Sequence, residues 1–151
     1  KSYEPSVQSL QLVILRGALE LLNQGDKKRS LELVDLYFSK FPDFNFRYNY
    51  RTHFLIDVYL KAGEYKRAKP VIEKLAENIR QDLLFYSGLE PAVLNSSYQE
   101  DYNLALRTVD ILLEDASSNR DEAFLKKLQN TFAPFQVNPT DGNNLMQPIQ
   151  Q

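Results

Sequence analysis

The chain holds one imidazole, His53, and Asp57 and Lys61 follow it at four-residue steps. On a helix that spacing puts all three side chains on one face. Three readings of the trio stand open: a His–Asp proton-transfer pair, the charged lining of a groove that holds a partner, or a solvated helix face. A catalytic pair needs a nucleophile or a second base within reach, and the sequence assembles none, so no catalytic residue is expected. The absence of Cys removes thiol nucleophiles, thiolate metal sites and disulfides. A single His is too few for a zinc site. No phosphate-cradling Gly-rich loop, GxGxxG or GxSxG occurs. Neither a metal nor a cofactor is expected. The pairs Glu100-Asp101 and Glu114-Asp115 are adjacent in sequence and do not face each other across a cleft, so they read as solvated helix ends.

A second constellation precedes His53. Phe44, Phe46, Tyr48 and Tyr50 alternate with Asn45, Arg47, Asn49 and Arg51. Alternation of this kind can mark a short extended segment. Ten of the eighteen aromatics fall between Tyr37 and Tyr65, so the stretch is either a packed joint between helices or an exposed aromatic-and-Arg patch. A patch would stack on a sugar, a peptide or a base. The candidate contact residues are therefore Phe46, Arg47, Tyr48, Tyr50, His53, Asp57 and Lys61.

The elements that must position these residues are helices. Leu10–Asn23 is apolar nearly all round, which predicts a helix covered on more than one side by other helices or by a missing partner; Pro5 and Ser6 are a plausible helix start. Gly25-Asp26 predicts a turn, and Ser30–Phe41 a second helix with Ser30, Val34, Tyr37, Phe38 and Phe41 inward, stopped by Pro42. Helix three is expected over about 50–62 and helix four over about 65–86, with Pro70 near its start and inward Ala68, Val71, Ile72, Leu75, Ile79, Leu83 and Tyr86. Asn95–Gln99 reads as a loop, with Ser97-x-x-Glu100 as a capping box for helix five (about 99–116). Asn119-x-x-Glu122 reads as the cap of helix six, which runs to about Thr131. The tail 133–151 carries three Pro and many Asn and Gln, and has no core of its own; Phe135, Leu145, Met146 and Ile149 are its candidate anchors.

Leu55, Tyr59, Gly63 and Ala68 resemble a tetratricopeptide-type helix–turn–helix. Aligned on the glycines, Gly25 matches Gly63, Leu21 matches Tyr59, Ser30 matches Ala68 and Val34 matches Ile72. The glycines are 38 residues apart against a usual period of about 34, which places the excess around Asn45–Tyr48. The expectation is an all-α, right-handed tetratricopeptide-like stack of about six helices. It comprises repeats over about 10–44 and 49–82, a capping hairpin over about 97–132 that hides the last apolar face, and the tail beyond. Residues 1–132 form one helical domain on this reading.

Composition bounds the function. A net charge of −2 argues against a general nucleic-acid binder, which needs a basic excess. The basic clusters Lys27-Lys28-Arg29, Lys66-Arg67-Lys69 and Lys126-Lys127 read as solvated faces or as contacts to anionic lipid headgroups. The most apolar window, Leu10–Leu22, is broken by Arg16 and Glu20, so no membrane span is expected. The chain begins at Lys1, which is read as an excised domain or a processed product.

The segments LLNQGDKKRSLELVDLYFSKFPD, YNYRTHFLIDVYLKAGEYKRA and ENIRQDLLFYSGL resemble the C-terminal region of a family of bacterial multi-spanning membrane proteins similar to protein O-mannosyltransferases. The resemblance covers about Leu10–Leu89, and Leu84-Phe85-Tyr86 is its most distinctive part. It implies a membrane core preceding Lys1 that transfers sugar, with the present chain as its inner-membrane-attached, periplasmic appendage. It transfers no catalytic position onto this chain. The functional expectation is a non-catalytic protein-interaction or scaffold domain with a protein or peptide partner. The alternative is a carbohydrate- or peptide-binding module using 44–50.

Overall fold

The structure is a computed structural model, and it describes residues 4–135, with side chains from Ser6 onward. It is all-α: among the described residues there is no strand. The main helices are α1 (Glu4–Asn23), α2 (Lys27–Lys40), α3 (Thr52–Lys61) and α4 (Tyr65–Ser87). They are followed by the single turn α5 (Pro91–Val93), a π turn Leu94–Tyr98, α6 (Gln99–Ser118), α7 (Glu122–Phe132) and a 3-10 turn Ala133–Phe135. Two compact units are present, Lys1–Asn78 and Ile79–Gln151, with their boundary inside α4.

In the first unit α1 and α2 form a hairpin. Its turn is a Schellman cap, with Asp26 N–H donating to Leu21 O at 2.8 Å and Gly25 N–H to Leu22 O at 3.1 Å. Gly25 has φ +83°, a conformation that a Cβ penalises. Asp26 then caps α2 by accepting from Arg29 N–H at 3.2 Å. Close approach of the two helices is visible at Ser30, whose fully buried hydroxyl donates to Ala18 O at 2.6 Å. The α3–α4 turn repeats the same geometry, with Glu64 N–H to Tyr59 O at 2.8 Å, Gly63 N–H to Leu60 O at 3.0 Å, and Gly63 at φ +76°. Leu55, Ile56, Tyr59, Ala68, Ile72 and Leu75 are all buried. The Tyr59 hydroxyl donates to Asp35 on α2 at 2.6 Å, and Arg67 bonds the other oxygen of that carboxylate at 2.8 Å. Burial, then the Asp35 contact, pushes the Tyr59 phenol far above its ordinary value.

In the second unit α6 and α7 pair through a third turn of the same kind: Asp121 N–H donates to Ala116 O and Arg120 N–H to Ser117 O, both at 3.0 Å. Arg120, at φ 56°, occupies the left-handed place that glycine holds in the other two. Its core includes Leu83, Val109, Leu112, Phe124, Leu128 and Phe132.

Several sequence expectations are corrected. Helix one begins at Glu4, beside the expected Pro5–Ser6 start and before the Leu10 bound. The other described helices do not cover it all round: Leu10, Leu12 and Val13 are 41%, 46% and 65% exposed, which corrects the expected covering by helices and leaves the covering by a partner. Of the stripe expected to face inward on helix four, Val71 and Tyr86 are only half-buried. The alternating stretch after Pro42 opens in a turn, with Pro42 O accepting from both Asn45 and Phe46 N–H, so it is not extended throughout. Residues 95–99 are not a loop; the π turn carries the chain directly into α6. Ser97 forms no capping box, because the residue in the cap position before α6 is Tyr98, and it makes no side-chain cap bond. The cap of α7 is Asp121, accepting from Phe124 N–H at 3.2 Å, whereas Asn119 closes α6 by donating to Asp115 O. Of the tail, only 133–135 are described, so Leu145, Met146 and Ile149 lie outside the described residues.

Candidate functional site

The linker 41–51 between α2 and α3 positions most of the predicted contact residues, and α4 holds it in place. Asp43 Oδ1 accepts from Tyr48 N–H at 2.8 Å and from the Asn78 carboxamide at 2.6 Å. The Arg47 guanidinium donates to Asn78 O at 2.8 Å, and Lys74 approaches Asp43 at 3.6 Å. Burial by itself would raise the Asp43 carboxyl, but the Tyr48 and Asn78 donors and the Lys74 charge outweigh it and hold it below its ordinary value. Asn78 is almost fully buried. The sequence reading missed it, although a carboxamide between the inward Leu75 and Ile79 was a visible signal.

The aromatics of the linker divide. Phe46 packs edge-on against Phe41 at 5.0 Å between centroids, and Tyr48 against Phe38 at 5.7 Å. Phe44 is 96% exposed. Tyr50 is half-buried and lies 5.3 Å from the Arg51 guanidinium. On α3, Asp57 and Lys61 form a salt bridge of 3.0 Å at the surface, and His53 is half-buried.

Two adjoining clefts lie between α1 and the start of α3. One, of about 440 Å³, is lined on its apolar side by Leu12, Leu15 and Phe54. The other, of about 380 Å³, is lined by Phe46, Arg47, Asn49 and Thr52 among others. Gln8, Gln11 and Arg51 line both, so the clefts meet at these residues and make one groove. Gln11 ties its walls together by donating to Arg51 O at 3.0 Å. A third cleft, of about 310 Å³, lies between the linker and α4 and includes Phe44, Tyr48 and Lys74.

No family model, no curated protein and no solved structure matches the chain. The site must be read from its own geometry.

Of the predicted residues, Phe46 and Arg47 line the α1–α3 groove, and Tyr48 lines the third cleft. Tyr50, His53, Asp57 and Lys61 line none of the three. The residues of α1 and Phe54 were missed. Their signal was the all-round apolar character of the first helix, which left Leu12 and Leu15 without an assigned neighbour. No group of three or more His, Asp or Glu placed to hold a metal occurs among the described residues. What the groove can do chemically is bind: it offers carboxamides and guanidiniums beside an apolar floor.

Proposed function

We propose that this chain is a non-catalytic protein-interaction domain that holds an extended segment of a partner protein in the groove between α1 and the start of α3. The observation that supports it is the exposure of Leu12 (46%) and Phe54 (55%) in one cleft, on two different helices. Covering apolar surface recovers about 25 cal/mol per Å², and the carboxamides alongside match the alternating donors and acceptors of a peptide backbone. The carbohydrate alternative has less support, because Phe46 and Tyr48 pack their rings against helix aromatics and Phe44 alone stands open.

Selection of peptides from a random display library on the full chain tests this reading. Selected peptides should bind wild type and Ile111→Ala alike and lose about tenfold on Phe54→Ala, the behaviour of an anchoring aromatic contact. Ile111 is an exposed apolar residue of the second unit and serves as the control. Peptides indifferent to Phe54→Ala, or no enrichment, would sink it.

On the resemblance given above, the domain is carried as the periplasmic appendage of a membrane glycosyltransferase-like protein. The matched residues are the support. Among the described residues no helix is long and apolar enough to cross a membrane, so attachment on this reading belongs to the core that the resemblance implies. An immunoblot of fractionated host cells tests it: a membrane band far above 17.5 kDa is expected, and a soluble band at 17.5 kDa would break the link.

A further inference from the structure

We infer that the segment held in the α1–α3 groove is acidic, with a carboxylate side chain at Arg51 flanked by a bulky aliphatic side chain on Leu12, Leu15 and Phe54. The inference rests on the proposed binding function and adds the chemistry of the partner. Its basis is charge complementarity. Across both clefts the charged lining residues among those described are Arg47 and Arg51, and no carboxylate of the described residues lines either cleft. Arg47 is engaged with the main chain of Asn78. Arg51 has the Tyr50 ring beside its guanidinium, and among the described residues no carboxylate pairs with it.

Arg51 lines both clefts, its main-chain oxygen accepting from Gln11. A guanidinium supplies five donors and no acceptor, and its strongest partner is a carboxylate, which it can grip with two parallel bonds. A basic segment is disfavoured at the same place by like-charge contact with both arginines. A polyphosphate backbone needs many cations along its length, and among the described residues only Arg47 and Arg51 line the groove. A short acidic peptide with alkyl side chains uses the local cation and the apolar floor together.

The test is an NMR titration of the full chain with three acetylated, amidated hexapeptides in which Leu alternates with Glu, with Gln or with Lys. The signals followed are the methyls of Leu12 and Leu15 and the Nε–Hε of Arg51. The Glu peptide should shift all three, bind about tenfold more tightly than the Gln peptide, and lose that advantage on Arg51→Gln and in high salt. Phe54→Ala should weaken the Glu and Gln peptides alike. If the Gln peptide binds the Leu12 and Leu15 methyls as tightly as the Glu peptide, the acidic inference fails and the binding function stands. Preference for the Lys peptide overturns the inference equally. Shifts by the Glu peptide confined to Lys27–Arg29 or Lys126–Lys127 would mark unspecific charge attraction and overturn it too. If no peptide shifts any groove signal, both readings fall.

Discussion

The Asp43 carboxylate takes the Tyr48 N–H and the Asn78 carboxamide and lies 3.6 Å from Lys74, with its side chain only 17% exposed. Removing it strands two donors in a mostly buried setting, a situation that costs about 1–3 kcal/mol per group. Asp43→Ala should therefore lower the unfolding free energy by about 2 kcal/mol at pH 7 in urea titrations. The effect has a pH signature. The folded carboxyl titrates below its ordinary value of 3.8, so the native state binds the proton less readily than the unfolded chain. Stability from this group is then complete above about pH 4 and is lost as pH falls through the folded value. The gap between wild type and Asp43→Ala should shrink in that acid window. A gap that persists undiminished at pH 2 would show that the charge plays no part. At this scale the sequence was a partial guide. It marked Phe46, Arg47 and Tyr48, but the bond that places them runs from Asn78, thirty-one residues beyond Arg47, and no local pattern encodes a partner at that distance.

Helix and turn were the most legible level. Gly25 and Gly63 were readable because only glycine takes the left-handed cap at little cost. The third turn has the same hydrogen bonds with Arg120 at φ 56°, and it was invisible because no glycine announced it. A non-glycine residue there costs about 1–2 kcal/mol in backbone strain, partly offset by the greater unfolded-state freedom of glycine. Arg120→Gly should thus raise stability by about 0.5–1 kcal/mol in thermal or urea unfolding; destabilisation would mean that the Arg120 side chain makes a contact outweighing the strain. The caps show the same limit. Ser97-x-x-Glu100 and Asn119-x-x-Glu122 fit the capping box and Asp121, followed three residues on by Phe124, does not; which residue caps depends on where the π turn and the Arg120 turn place the helix starts, which the pattern itself does not contain.

For the whole molecule the informative surface is that of α1. The sequence pattern of Leu10–Leu22 predicted a helix covered on several sides by other helices or by a missing partner, and the other helices leave Val13 65% exposed. Val13→Lys should change the unfolding free energy by less than about 0.5 kcal/mol, as for a surface substitution, measured by urea titration of the isolated chain. A loss above about 2 kcal/mol would indicate burial of that position. The sequence by itself determined the helical class, the glycine turns and the inward stripes, because helix periodicity and left-handed caps are local properties of a few neighbouring residues. It also marked the aromatic linker as worth a role. Only the tertiary structure decided which side of α1 stays open, that the linker opens in a turn and is bound to Asn78, and that Arg51 and Phe54 face the cleft with Leu12 and Leu15 while His53, Asp57 and Lys61 do not. Those outcomes depend on which faces of sequence-distant helices meet, and an apolar residue reads the same in sequence whether a neighbour covers it or a partner must.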